Sequence, residues 1–185
     1  MAPRITRAAV TTAAVLAFTA ACGTSHTRAA AVSRATVPPP AASPGSARAV
    51  VIAAYNALWP AGQRADTAPA AQRQAILTPV ATGTELAGML SAIAAGTTAG
   101  QTSWGQPVLH PYDVTVDGTT ATLQDCQDET ATGMMSTVTG QKLTHGGPRV
   151  HFDATLDQGA DGAWRVAKLT VSSQPCLPAP QRSQR

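Results

Sequence analysis

The apolar residues of this chain change their spacing near Gly100, and this change limits the fold more than any other feature. Before Gly100 they recur at three- and four-residue intervals, which is typical of one face of a helix. After Gly100 they alternate with polar residues, which is typical of strands buried on one side. Helices followed by successive strands, without strand–helix alternation, predict an α+β fold in which N-terminal helices pack on an antiparallel sheet.

Three helices are predicted from the first pattern. The first covers residues 46–59, and Pro60 with Gly62 should end it, because both residues disfavour a helix interior. The second covers residues 67–77, and the third runs from Thr84 to Gly96. Tyr55, Trp59 and Trp164 are interpreted as core aromatic residues.

Strand-like alternation occurs in five segments, of which the third is the weakest: 108–116, 120–126, 134–140, 149–157 and 164–171. The sequence Asp-Gly-Thr at 117–119 predicts a hairpin between the first two. In the last segment the apolar residues change face between Val166 and Leu169, which predicts a β-bulge.

The chain has three cysteines, Cys22, Cys126 and Cys176. If Cys22 is modified or removed, an even number remains, and Cys126 and Cys176 are predicted to form a disulfide. A reactive thiol at Cys126 is disfavoured, because Asp125, Asp128 and the next residue, Glu129, would raise the pKa of the thiol. A metal site is also disfavoured, since no Cys-x-x-Cys or His-x-x-x-His spacing occurs.

Asp125 is the first of three weak candidates for a catalytic group. It falls on the same strand face as Ala121 and Leu123, where an apolar environment would raise its pKa and allow it to act as a base. The alternative, which the sequence favours, is an exposed position at the end of the strand.

His110 and Tyr112 are the other two candidates. Alternation places both on the face of Val114, and the predicted hairpin would bring that face close to Asp125. The more common interpretation is that such a histidine is hydrogen-bonded to neighbouring residues or lies at the rim of a pocket. His151 and Asp153 lie opposite Phe152 in alternation and are expected on a solvated face of the sheet.

The N-terminus has the features of an export signal. Arg4 and Arg7 precede an uncharged, mostly apolar run that is too short to span a bilayer, and small residues precede Cys22. Residues 1–21 are therefore predicted to be a signal peptide of the bacterial lipoprotein type, with Cys22 lipidated; the alternative is ordinary secretion. This places the protein on the extracytoplasmic face of the cell membrane.

Composition divides the remainder of the chain into three parts. Residues 22–45 are rich in Ala, Ser, Thr and Pro and are predicted to be a disordered tether, and residues 177–185 a disordered tail. Residues 46–176 form the predicted domain. The whole chain carries a net charge of +3, but this domain has seven basic and ten acidic residues. No basic stripe with aromatic residues is present, so a nucleic-acid partner is not expected.

The order of the motifs resembles one known superfamily. Tyr-x-x-Leu-Trp ending at Trp59, the hairpin sequence VDGTTATLQDC at 116–126 and DGAWRVAKL at 161–169 are similar to the nuclear transport factor 2-like superfamily, and more narrowly to its secreted lipoproteins from actinomycete-type bacteria. The resemblance covers residues 46–176. It implies a curved antiparallel sheet wrapped by helices, forming a cone with a pocket.

This resemblance does not by itself determine function, because the superfamily includes isomerases, dehydratases, dimerising adaptors and proteins of unknown role. Its ketosteroid isomerase-like members use pocket carboxylates as bases. We expect a non-enzymatic, lipid-anchored domain, without a cofactor or metal, that binds a small apolar ligand or an envelope protein partner. The alternatives are an isomerase or dehydratase that uses Asp125 with His110 or Tyr112, and a structural module that forms a homodimer through its open sheet.

Overall fold

The computed structural model of the protein describes residues 44–176. The predicted signal peptide, Cys22 and the tail lie outside the described residues, as does nearly all of the predicted tether. The helices are α1 (Pro44–Asn56), α2 (Leu58–Thr67), α3 (Ala70–Leu77) and α4 (Gly83–Thr98). The strands are β1 (Gln101–Trp104), β2 (Pro111–Asp117), β3 (Thr120–Gln127), β4 (Gly133–Ser136), β5 (Val150–Gln158) and β6 (Trp164–Val171).

The predicted α+β class is confirmed. Strands β2, β3, β5 and β6 form one antiparallel sheet in that order, and β1 pairs with β4 in a separate antiparallel ribbon. The helices precede all six strands, and α1 and α4 pack on the sheet. In the part of the chain that the structure describes, no helix has the length and hydropathy that crossing a bilayer requires.

The prediction that Pro60 and Gly62 end the first helix is wrong. The helix breaks earlier, at Ala57, and Pro60 lies in the first turn of α2, which continues through Gly62 to Thr67. Proline has no backbone N–H, so it interrupts a helix but is well tolerated in the first turn of a new one.

The two long hairpins both contain a β-bulge. Asp113 has a positive φ of 49°, and the register of β2 shifts between Tyr112 and Thr115, so two residues of β2 oppose one of β3. The prediction that Tyr112 shares the face of Val114 is therefore wrong, since the bulge turns Tyr112 to the opposite side of the sheet. The bulge predicted in the last strand is confirmed by the register shift opposite Thr155 and Leu156.

The hydrophobic core lies between the helices and one face of the sheet. Its main cluster combines helix residues with alternate sheet residues: Val51, Tyr55, Leu58, Ala81, Val114, Ala121, Leu123, Ala154, Leu156, Trp164 and Val166. The outward face of the sheet is polar, with aligned rows of Thr115, Thr122, Thr155 and Lys168 and of Gln124, Asp153 and Thr170.

The predicted disulfide between Cys126 and Cys176 is confirmed. The two Cα atoms are 5.6 Å apart, and the bond joins residues separated by 50 positions. Cys126 and His151 are register partners on the outward side of the sheet, and the backbone oxygen of Gln174 lies 3.0 Å from the His151 ring. The disulfide thus holds the C-terminal segment over the end of the sheet.

Candidate functional site

A cavity of about 460 Å³ with the properties of a binding site lies between α2, α4, the β1–β4 ribbon and the sheet. We call it the central cavity. Its apolar lining consists of Leu58, Trp59, Met89, Trp104, Pro107, Met134, Phe152 and Leu169. Its polar lining includes Gln63, Glu85, Gln127, Glu129 and His145.

Two glycines, one of them next to Trp104 in the chain, allow close backbone packing at one side of the cavity. Gly105 has a φ of 74°, a left-handed conformation that favours glycine, and a Cβ there would collide with the carbonyl of Ala131. A Cβ on Gly133 would lie 2.8 Å from the indole nitrogen of Trp104. The indole N–H donates to the carbonyl oxygen of Thr144 at 3.1 Å, and His145 packs edge-on against the ring.

A buried chain of hydrogen bonds adjoins the cavity. The hydroxyl of Tyr55 donates to Asp125 Oδ2 at 2.8 Å, and Gln127 Nε2 donates to the Tyr55 oxygen at 2.8 Å. The backbone N–H of His110 donates to Asp125 Oδ1 at 2.6 Å. Asp125, Tyr55 and Gln127 each have 0% exposed surface. The exposed position that the sequence favoured for Asp125 is therefore wrong.

The buried position changes the acidity of this group. Loss of solvent raises the pKa of Asp125, although the hydrogen bonds from Tyr55 and from the His110 backbone counteract part of the rise. Burial, followed by the nearby Asp125 charge, also raises the pKa of Tyr55. Asp125 therefore favours its protonated form more than an exposed aspartate does.

The three catalytic candidates do not form the predicted cluster. His110 contributes its backbone N–H to Asp125, while its side chain is exposed. Tyr112 lies on the other side of the sheet, where its hydroxyl is 3.2 Å from His151 Nε2. His151 was expected on a solvated face, but it is only 5% exposed, because the C-terminal segment covers it.

Gln127 is the member of the buried chain that reaches the central cavity. It lies in the cavity wall, whereas Asp125 is not among the wall residues. Its Oε1 atom is buried and has no hydrogen-bond partner. A buried amide oxygen without a partner is costly, so this atom is a candidate contact for a bound molecule.

Two carboxylates also line the central cavity. Burial raises the pKa of Glu85, and a hydrogen bond from the Leu169 backbone N–H to Glu85 Oε2 at 3.0 Å counteracts this rise. Burial alone raises the pKa of Glu129. Between residues 44 and 176, no three His, Cys, Asp or Glu side chains lie together as a metal site would require.

Gln127, Glu129 and Trp104 were not predicted as site residues from the sequence. Gln127 and Glu129 follow Asp125 at i+2 and i+4, so alternation continued to the end of β3 and into the next residues was the signal that could have placed them on its face. Trp104 belongs to β1, a four-residue strand with no clear alternation. Tyr55 was identified only as a core residue, because its contact with Asp125 spans 70 positions in the chain.

No protein-family model and no curated protein match this chain. Its structure is similar to the intermembrane space region of the chloroplast protein ARC6, with a TM-score of 0.55 and 16% identity, covering 71% of this chain and 98% of that one. At that identity the match shows a shared fold and says nothing about activity.

Two further solved structures match with lower scores. One is a nuclear transport factor 2-like superfamily protein from Salmonella enterica serovar Typhimurium, with a TM-score of 0.46 and 11% identity, covering 76% of this chain and 99% of that one. The other is a ketosteroid isomerase-like protein from Erwinia carotovora atroseptica, with a TM-score of 0.40 and 18% identity, covering 65% of this chain and 91% of that one. These lower scores add nothing to the conclusion on the fold.

Proposed function

We propose that this domain binds a small, mainly apolar molecule in the central cavity and has no catalytic role. The observation that carries the proposal is the cavity itself, whose volume of about 460 Å³ is in the range of small-molecule sites. Two tryptophans, two methionines and one phenylalanine line it. Such side chains provide adaptable apolar contact area, while the few polar groups would orient the ligand.

The geometry around Asp125 supports binding over isomerase or dehydratase chemistry. A general base must reach the proton that it removes, and both Asp125 oxygens already accept hydrogen bonds from the protein. The residue is also absent from the cavity wall. Neither predicted partner donates a side-chain hydrogen bond to Asp125: the His110 side chain is exposed, and the Tyr112 hydroxyl lies 3.2 Å from His151 Nε2.

We also propose that the domain is a lipid-anchored protein of the nuclear transport factor 2-like superfamily at the extracytoplasmic face of the membrane. The signal-like residues 1–21 and Cys22 support the anchor, and a disulfide is typical of exported proteins. Mass spectrometry of the mature protein should find Cys22 at the N-terminus with attached acyl chains. An unmodified N-terminus beyond Cys22 would refute the anchor.

A homodimer or a protein partner bound on the outward face of the sheet is less well supported, because that face is polar and the centre of a stable interface is usually apolar.

Native mass spectrometry of the purified protein distinguishes a bound small molecule from a homodimer. A monomer carrying a co-purified small molecule is the expected result. A dimer without added small-molecule mass would favour the assembly module.

Substitution of Met134 tests the binding site. Met134 lines the central cavity, whereas its neighbour Met135 lines a separate surface groove beside Pro60 and Arg64. We expect Met134→Asp to weaken binding of the apolar dye N-phenyl-1-naphthylamine by about tenfold or more, because the cavity would then contain an extra carboxylate. The change is measured by titration of dye fluorescence.

Met135→Asp is the matched control, since it introduces the same charge on the same strand. It should leave the dye affinity within about twofold of the wild type. Equal losses in the two variants would place the dye elsewhere and contradict the proposed site.

A further inference from the structure

Five of the eight donor-bearing side chains in the wall of the central cavity already donate a hydrogen bond within the protein. Five side chains in the wall donate to protein acceptors: Gln63 to the Gly105 carbonyl, Ser103 to Asp66, Trp104 to the Thr144 carbonyl, Gln127 to Tyr55, and Thr132 to the Glu129 carbonyl. Trp59, Thr144 and His145 carry the other three donors, so the preference for a donating ligand depends on the acceptors and the charges of the wall.

The acceptors in the same wall remain available. Gln127 Oε1 is buried without a partner. The Glu129 side chain accepts no hydrogen bond within the described residues, and Glu85 uses only Oε2, for the Leu169 N–H. These acceptors come from β3, from the segment that follows it and from α4, so they are not an acidic cluster on one element.

The charges in the wall have one sign. Glu85 and Glu129 line the cavity, and no lysine or arginine of the described residues does. Lys142 is the nearby exception, and it lies outside the wall with its Nζ 3.5 Å from the centroid of the Trp104 ring. An apolar cavity with free acceptors and negative charge favours a ligand that donates hydrogen bonds and is positively charged.

We propose that the ligand of the central cavity is an organic ammonium ion with at least one N–H and an apolar body. The N–H donates to Gln127 Oε1, the positive charge is balanced by Glu129 and Glu85, and the apolar body contacts the tryptophans and methionines. This inference rests on the proposed function, since it specifies the class of molecule that the binding site accepts.

Four probes with the same octyl chain separate the contributions of positive charge, hydrogen-bond donation and apolar contact to the affinity. They are octylamine, octyltrimethylammonium, 1-octanol and octanoate, titrated by displacement of the naphthylamine dye from the full domain at about pH 8, where an alkylamine remains protonated. We expect octylamine to bind about tenfold more tightly than octanol, octyltrimethylammonium to lie between them, and octanoate to bind weakest.

Glu129→Gln tests the role of the charge while it preserves the shape of the side chain. We expect this variant to reduce the affinity for octylamine by about tenfold and to leave the affinity for octanol within about twofold. The control is Asp117→Asn, which removes one negative charge at the exposed end of β2 and should change neither affinity. Far-UV circular dichroism of both variants checks that they are folded.

The outcomes distinguish this inference from the proposed function. If none of the probes displaces the dye, the binding site itself is wrong. If octanol or octanoate binds as tightly as octylamine, the binding site stands and the ammonium class is overturned. If Glu129→Gln and Asp117→Asn weaken octylamine equally, the preference is a general charge effect, which also overturns the inference.

Discussion

Replacing Cys126 and Cys176 together by alanine is expected to lower the free energy of unfolding by about 4 kcal/mol. The disulfide closes a loop between residues 50 positions apart, so its loss gives the unfolded chain many more conformations. Small domains have total stabilities of about 5–15 kcal/mol, so the double variant should be only marginally folded. Urea unfolding followed by circular dichroism measures the change.

Reductant provides the control for this prediction. The wild type should lose a similar amount of stability in dithiothreitol, and the double variant should lose none. Because the disulfide holds the C-terminal segment over His151, the variant should also expose that ring to solvent. A double variant within about 1 kcal/mol of the wild type would contradict a stabilising role for the bond.

Replacing Asp125 by alanine is the second large effect, with an expected loss of about 3 kcal/mol in the free energy of unfolding. The Tyr55 hydroxyl and the His110 backbone N–H would both lose their acceptor in a site without solvent. Each unsatisfied buried donor costs about 1–3 kcal/mol. Removing the buried carboxylate also removes its own desolvation cost, which offsets part of this loss.

Asp125→Asn is the matched variant, because it keeps the shape and can keep both contacts. We expect it to cost about 1 kcal/mol or less. Asp117→Ala controls for the loss of an exposed carboxylate and should have little effect. If Asp125→Ala is no worse than Asp117→Ala, the hydrogen-bond chain does not stabilise the fold.

Comparing the wild type with Asp125→Asn should show that the difference in their stability depends on pH, with a sign that follows from the pKa of Asp125. The pKa of Asp125 is raised in the folded state, so the folded protein binds this proton more tightly than the unfolded chain does. The resulting stabilisation is complete below the unfolded pKa and is lost as pH rises through the folded pKa. The stability of the wild type minus that of Asp125→Asn should therefore fall with rising pH across this interval, and a rise would contradict the assignment.

The class of fold could be predicted from the sequence because periodicity is a local property. Helix spacing before Gly100 and alternation after it require only neighbouring residues, and the bulge near Ala167 was visible as a change of face. The position of the helix break near Pro60 could not be predicted from neighbouring residues alone, since proline can end one helix or lie in the first turn of the next.

The candidate site was less predictable because its contacts are distant in sequence. Asp125 is buried because Tyr55, 70 positions earlier, provides a donor that allows a carboxylate to remain in the core. The bulge at Asp113 removed Tyr112 from that face, and a bulge formed by a residue with positive φ leaves little trace in an alternating pattern. The cavity depends on β1 and β4, which are each only four residues long.

The hydrogen bonds from Gln127 through Tyr55 to Asp125 all point in one direction, and Tyr55 has a single proton to give. A proton on Asp125 would reverse that direction: the acid would donate to Tyr55, Tyr55 would donate to Gln127, and the amide would turn its NH₂ group to the cavity. Asparagine at 125 imposes the same reversal, so Asp125→Asn should reduce the preference for octylamine over octanol, while the charges of Glu85 and Glu129 preserve the rest. A carboxyl group outside the cavity wall would then decide whether Gln127 accepts or donates a hydrogen bond in the cavity.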